Sequence, residues 1–232
     1  MAVLGELSGS IAHEINQPLT AILSNAQAAL HLLGHKSPDL EEIKDALEEI
    51  VQEDNRAGEV IHRLRHLLKK GEQKLESVNI NDLVRSTTAL LHSELIGRET
   101  GVGLDLENRL LLVTGDSVQL QQVLLNLVMN AMDAMVPTPL AQRHILISTR
   151  GMENGLMEVL VKDRGHGIRP LENGRLFEPF YTTKDHGLGL GLTICSTIIH
   201  AHRGRLTLVN QEGGGAIAGF SLPTQAPAID AA

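Results

Sequence analysis

The 232-residue sequence has no tryptophan, one tyrosine, three phenylalanines and one cysteine. A core with so few aromatics must be aliphatic. The same shortage removes the stacking platforms on which single-stranded nucleic acids are commonly held. The net charge is −8, from 20 Lys and Arg against 28 Asp and Glu, so the basic excess of a phosphate-backbone binder is missing. Partners that are positively charged or bridged by metal ions suit this balance, and nucleic acid is not expected. Cys195 alone cannot close an internal disulfide or build a thiolate cluster, which points to a reducing compartment. No apolar run reaches the roughly 18 residues of a membrane-spanning helix, and no secretory leader pattern precedes the first helical stretch. A cytoplasmic location without membrane contact is therefore expected for this stretch of chain. Helical periodicity begins almost at residue 1, so upstream regions are expected to be missing.

What is present is a globular balance, 42% apolar and 21% charged, sufficient for one large domain or two modest ones. In the first stretch Leu4, Leu7, Ile11, Ile15, Ile22, Ala26, Ala29 and Leu33 largely follow three- and four-residue steps, and Gly34 is a natural stop. Ser37, Pro38 and Asp39 supply a capping hydroxyl, a first-turn proline and an acid for a second helix. That helix carries a heptad-like seam through Leu40, Ile43, Leu47, Ile50, Asp54, Ala57, Ile61, Leu64 and Leu68, polar only at Asp54. Two such helices bury their stripes economically as a hairpin that dimerises into a four-helix bundle. The expected domains are 1–72 for the hairpin, 73–77 for a hinge, 78–223 for an α+β domain and 224–232 for a disordered tail. Within the α+β domain a helix is expected over 80–97, capped by Asn79 with Asp82, and short strands at 102–106 and 110–114. A helix over 117–136 follows, then strands at 144–150 and 156–162, a helix over 188–202, and strands at 205–210 and 216–222.

Five stretches carry candidate chemistry. In GSIAHEINQPLTAI, residues 9–22, His13 stands beside Glu14 and Pro18 lies five residues on. Ile11 and His13 are separated by about 200° around a helix, so a buried Ile11 turns His13 outward. In QQVLLNLVMNAMDAM, residues 121–135, Asn126 and Asn130 share one helix face. Such a pair can hold hydrated Mg²⁺ and phosphate oxygens, or can simply be surface amides. In VKDRGHGI, a strand delivers Asp163 to a loop in which Gly165 and Gly167 admit a ligand to the backbone; the alternative is a plain turn. In LFEPFYTTK, Phe177 and Phe180 either anchor a flap or plug a small satellite core, and Lys184 is within reach of a phosphate or solvated. In GLGLGL, residues 187–192, glycines opening a helix can cradle phosphates, or close tightly on a packed helix. The last stretch has neither the Walker nor the Rossmann spacing.

Taken in this order, over about residues 3–223, these stretches closely resemble the bacterial two-component sensor histidine kinases, with an ATP-binding domain of the gyrase, chaperone and histidine-kinase type. The HEINQPL form is most similar to oxygen- and dicarboxylate-responsive sensors. The resemblance implies that His13 accepts the γ-phosphate of ATP and passes it to an aspartate on a response regulator receiver domain. Glu14 then acts as base, and Asn130 with Asn126 holds Mg²⁺. Asp163 reads adenine in a pocket shaped by Gly165 and Gly167. Phe177 to Lys184 forms the lid over ATP, and Gly187, Leu188, Gly189, Leu190 and Gly191 line the phosphates. The resemblance also implies a homodimer and an upstream sensor domain, and leaves open a membrane anchor on the full-length protein. Gln17 stands where relatives often have Thr or Asn, so activity as a response-regulator phosphatase stays open. Asp133 stands where some relatives carry a basic residue, and is expected to support the Mg²⁺ shell or a water near adenine. The competing classes are a gyrase-like ATPase without phosphohistidine and a dimerisation module with a degenerate pocket.

Overall fold

The computed structural model describes the chain except residues 1, 35–38, 69–73, 109–111, 170–173, 180, 183–188 and 226–232. The chain divides into two compact units, Met1–Gly71 and Glu72–Ala232. The first unit is a helical hairpin of α1 (Ala2–Leu33) and α2 (Leu40–Leu68). The capping hydroxyl expected at Ser37 lies outside the described residues. Asp39 serves instead, its Oδ1 accepting from the Glu41 and Glu42 N–H groups at 3.1 and 3.2 Å. Pro18, Ala29, Ile43 and Ala57 are buried in the hairpin, and Asn25 Nδ2 donates to Glu49 Oε2 across it at 2.7 Å. A second apolar row has no cover within the hairpin: Leu23 and Leu30 on α1 and Leu40 and Val51 on α2 are each at least 59% exposed. Proline inside α1 removes the N–H that would close a turn onto residue 14. Two residues later, Thr20 Oγ1 donates to the Asn16 carbonyl at 2.7 Å.

The second unit is a helical layer on one face of a five-stranded sheet. In chain order its elements are β1 (Glu76–Asn79), α3 (Ile80–Leu90), α4 (His92–Gly97), β2 (Gly101–Asp105), β3 (Leu112–Gly115) and α5 (Ser117–Ala134). Then come a 3₁₀ turn (Leu140–Gln142), β4 (His144–Gly151), β5 (Leu156–Lys162), α6 (Gly191–Ala201), β6 (Arg205–Asn210) and β7 (Ala216–Pro223). The sheet runs β2-β4-β5-β7-β6; β2 and β4 are parallel and the other neighbours antiparallel. Alternation in β5 buries Met157, Val159 and Val161, and the helical layer adds buried Leu120, Leu124, Leu127 and Met132 of α5 and Ile194, Ile198 and Ile199 of α6. Phe220 on β7 is the aromatic member of this core, and the rest is aliphatic with methionine. Each fully buried side chain of this size contributes about 1.5–3 kcal/mol.

Three expected boundaries change. The helix over 80–97 breaks at Leu91, whose backbone sits at φ −84° and ψ 2° while its side chain is buried. The break ends α3 and restarts the chain as α4, with no glycine or proline to mark it. Asn79 caps α3 as expected, accepting from Asn81 N and donating to Asp82 Oδ2 at 2.7 Å. Glu76 and Ser77, expected in a hinge over 73–77, belong to β1, which pairs antiparallel with β3 in a separate two-stranded sheet. Thr224 and Gln225, expected in a disordered tail, are held. Thr224 N donates to Gly155 O at 2.9 Å and Gln225 N to Leu112 O at 2.8 Å. The other tail residues lie outside the described part. Among the described residues no helix is long and apolar enough to cross a membrane.

The start of α5 is fixed by a buried histidine. His202, at the C-terminal end of α6, accepts from Asp116 N on Nε2 at 2.9 Å, and its Nδ1 meets Ile198 O at 2.7 Å. Asp116 in turn caps α5 through Val118 N and Gln119 N. Gly115 leaves room for this ring, because a Cβ there would sit 2.8 Å from both His202 and Leu120. Gly115→Ala is therefore expected to destabilise the unit by about 1–3 kcal/mol through overpacking. Urea denaturation of the two proteins measures this, and an unchanged midpoint contradicts it.

Candidate functional site

The site is assembled where the end of β5, the end of α5 and the start of α6 meet. Asp163 follows directly on β5 and is 5% exposed. Its Oδ1 accepts from Gly165 N at 2.8 Å and Ala216 N at 3.2 Å, and its own N–H donates to Ala216 O at 3.0 Å. Both side-chain bonds converge on Oδ1, so Oδ2 is the oxygen available to a ligand. Burial holds the Asp163 carboxyl above its ordinary pKa; the Gly165 and Ala216 N–H groups and the charge of His166 pull the other way. The carboxylate is thus desolvated and aimed before any ligand arrives.

The glycines around Asp163 are required by close approach. A Cβ on Gly165 would sit 2.5 Å from Ala134 O, the last residue of α5, and His166 N donates to the same oxygen at 3.3 Å. Gly167 has φ +70°, and a Cβ there would lie 2.7 Å from Asn210 Oδ1. The Asp163 loop is therefore packed directly on the last turn of the helix that carries both asparagines.

Asn126 and Asn130 are both half-buried on α5, but their surroundings differ. The Asn126 side chain lies beside the buried Cys195 of α6. Cys195 also meets Val123 O at 3.9 Å, and burial pushes its thiol up to about 12, so it stays protonated. This contact draws α6 against α5. Among the described residues no cluster of three or more His, Cys, Asp or Glu side chains could hold a metal ion. A cation here would take amide oxygens and ligand oxygens, a donor set that fits magnesium rather than zinc. Asp133 Oδ1 pairs with Arg98 Nη1 at 2.6 Å.

The start of α6 is open. Gly189 is at φ +63°, Leu190 is buried, and no side chain caps the first turn. Among the described residues, and apart from its chain neighbours and its own helix backbone, no atom lies within 4 Å of a Cβ placed on Gly191. A helix start without a side-chain cap suits an anion. The flap is tied to this helix by Thr193 Oγ1, which donates to Phe177 O at 3.2 Å. Phe177 is half-buried, and Arg175 lies 4.4 Å from the centre of the Tyr181 ring. Lys184, Gly187 and Leu188 lie outside the described residues, as does Phe180. In the hairpin, Gln17 is exposed on α1; the side chains of His13 and Glu14 lie outside the described part.

Residues 115–226 match the family of histidine kinase-, DNA gyrase B- and HSP90-like ATPases, and residues 3–73 match the His Kinase A (phospho-acceptor) domain. The chain belongs to the sensor histidine kinases. Sensor histidine kinase TmoS of Ectopseudomonas mendocina is 38% identical over 225 residues, which cover 96% of this chain and 23% of TmoS. The C4-dicarboxylate transport sensor protein DctS of Rhodobacter capsulatus is 33% identical, over 96% of this chain and 34% of its own length. The chain thus spans about a third or less of these two relatives. Histidine kinase ThkA, crystallised in complex with response regulator protein TrrA, matches with a TM-score of 0.74 at 27% identity, over 97% of this chain and 63% of that one. The fold is that of a histidine kinase core, with a helical hairpin of the phospho-acceptor type followed by an ATP-binding domain.

Two features of this histidine kinase pocket carried no sequence motif that was recognised. Asn210, at the end of β6, contacts the Asp163 loop, and Gly215, at φ +86°, would place a Cβ 2.1 Å from Asp163 O. The run of three glycines at 213–215 was the available signal.

The raised Asp163 carboxyl makes a prediction about stability. Between its unfolded and folded values the folded state binds more protons, so stability falls as pH rises through that window and then levels off. Asp163→Asn retains Oδ1 for both backbone donors and removes the titration. The wild type is expected to lose stability relative to Asp163→Asn as pH rises from about 3.9, in urea denaturation up to about pH 8. A pH-independent difference contradicts this.

Proposed function

We propose that this histidine kinase core is an autokinase that phosphorylates His13 and passes the phosphoryl group to a response regulator aspartate. The observation that carries the reading is a phospho-acceptor hairpin with His13 on α1, in one chain with an ATPase-type domain whose Asp163 pocket is preset. In this reading Asp163 Oδ2 accepts from the exocyclic amine of adenine, which guanine does not present at that position. Gly165 and Gly167 keep the loop close enough to α5 to floor the base. Gly187, Leu188, Gly189, Leu190 and Gly191 line the triphosphate, with the free N–H groups of α6 turned to it. Phe177 to Lys184 form the flap over the nucleotide, Lys184 reaching phosphate.

Asn130 and the oxygen end of Asn126 would hold Mg²⁺, which when bound neutralises phosphate charge and so favours transfer. His13 presents a neutral imidazole at pH 7, given its unperturbed pKa of about 6.5. A ring nitrogen attacks the γ-phosphorus, the bond to the ADP oxygen breaks, and Glu14 takes the ring proton as the P–N bond forms. Alignment and charge neutralisation provide most of the acceleration in such transfers. The domains assigned to this chemistry are the hairpin over 1–72 and the ATP domain over 78–223. The structural assignment of Glu76 and Ser77 to β1 shortens the connector between them.

Dimerisation follows from the uncovered apolar row on α1 and α2, which a second hairpin would bury as a four-helix bundle. Pro18 is the bending point through which an upstream sensor region would gate access to His13. Gln17, one turn beyond His13, would orient a water in response-regulator dephosphorylation.

Incubation with γ-labelled ATP and Mg²⁺ is expected to give acid-labile label on the wild type. His13→Gln should abolish the label while leaving nucleotide binding unchanged. Hydrolysis of ATP with no labelled protein would contradict the autokinase reading. Asn130→Ala should lower labelling by about two orders of magnitude or more, in line with losing a preorganised charge-stabilising contact. The same substitution should weaken the dependence of nucleotide binding on Mg²⁺, which calorimetry with and without a chelator reads.

A further inference from the structure

The loop from Asp163 to Ile168 is held at both ends by one rung of the β6–β7 ladder. Asn210 and Ala216 are register partners in that rung. Ala216 holds the Asp163 end, donating to Asp163 Oδ1 at 3.2 Å and accepting from Asp163 N at 3.0 Å. Asn210 holds the Ile168 end. Its Oδ1 accepts from Ile168 N at 2.6 Å, and its Nδ2 donates to Ile168 O at 2.9 Å. A side-chain amide bonded to both backbone groups of one residue copies the pairing of an extra strand. Between these two holds, Gly167 passes so close that a Cβ would meet Asn210 Oδ1 at 2.7 Å and Gly215 O at 3.2 Å. The turn that joins β6 to β7 makes this approach possible with Gly213, Gly214 and Gly215, all at positive φ.

We propose that Asn210 is a positioning residue for nucleotide recognition, and that the β6–β7 turn is the back wall of the base pocket. The proposal rests on the reading of Asp163 as the group that meets the base. Asn210 is exposed at the sheet edge and lies outside the asparagine and glycine boxes, so neither burial nor motif marks it. Its effect is transmitted through Ile168 and Gly167. With both ends of the loop tied to one rung, Asp163 Oδ2 keeps its aim and Gly165 stays seated on Ala134. Released at Ile168, the loop remains anchored at Asp163 alone and must be ordered again each time nucleotide binds. That ordering cost is subtracted from affinity.

The test is calorimetric titration of the whole chain with ADP in the presence of Mg²⁺. Asn210→Ala removes both bonds and is expected to weaken ADP binding about tenfold. Asn210→Asp is nearly isosteric but cannot donate to Ile168 O and sets a negative charge against it, so it should weaken binding at least as much. Urea midpoints should stay near that of the wild type, which separates loss of aim from loss of fold. Hydrogen exchange gives a second readout: the Ile168 amide should be protected in the wild-type protein without nucleotide and lose that protection selectively in Asn210→Ala. ADP affinities within about twofold of wild type in Asn210→Ala and Asn210→Asp overturn the proposal. An unprotected Ile168 amide in the wild type overturns it even where neither variant folds. Asp163→Asn serves as the control. If it binds ADP as the wild type does, the base-reading role falls and the proposal with it. If it loses ADP while the Asn210 variants keep it, the positioning role alone is wrong.

Discussion

The pocket depends on one buried carboxylate. Asp163 is taken out of water, and two backbone N–H groups, from Gly165 and Ala216, converge on its Oδ1. Removing a carboxylate from water is costly, and hydrogen bonds to the charged form are what make it tolerable here. Much of the local architecture follows from supplying those two donors. Gly165 must lie against Ala134 for the loop to turn back. Gly215 must lack a side chain for Ala216 to reach the carboxylate. The strand order places β7 beside β5 so that Ala216 is at hand.

The helices answer to the same site. In the first half of α6, Cys195 meets Val123 O, which draws α6 against α5. At the other end His202 ties α6 to Asp116, the cap of α5. The two helices are thus held together at two points along α6. On the flap side, Thr193 Oγ1 donates to Phe177 O.

Much of this was legible in the residues. Strands β5 and β6 were legible to their observed ends, because turn residues stand beyond each end. The asparagine pair, the Asp-Gly-Gly loop and the glycines before α6 are local patterns, and local patterns survive in sequence. What stayed hidden is non-local or weakly marked. Strand β1, ESVN, is short and polar, and only its pairing with β3 makes it a strand. The break at a buried Leu91 has no glycine or proline to mark it. Asn210 and Gly215 matter because of sheet register, which no spacing along the chain reveals. Asp133 reads as a pocket residue from its position, yet Arg98, 35 residues earlier, claims an oxygen.

The hairpin follows a different rule. Its inner seam is covered at Pro18, Ala29, Ile43 and Ala57, while a second row of leucines and valine stands in water, a surface whose burial by another hairpin would contribute more than any polar contact in the unit. The ATP domain, by contrast, has a complete core of its own. In the proposed reading, the nucleotide received at Asp163 supplies the phosphoryl group that the hairpin accepts. The most direct measurement is therefore a comparison of ADP with the purine diphosphate that lacks only the exocyclic amine, titrated into the whole chain with Mg²⁺. A site whose buried oxygen is committed to that amine should bind ADP tighter by about two orders of magnitude or more. Equal affinity for the two nucleotides would contradict the role assigned to Asp163 and the organisation built around it.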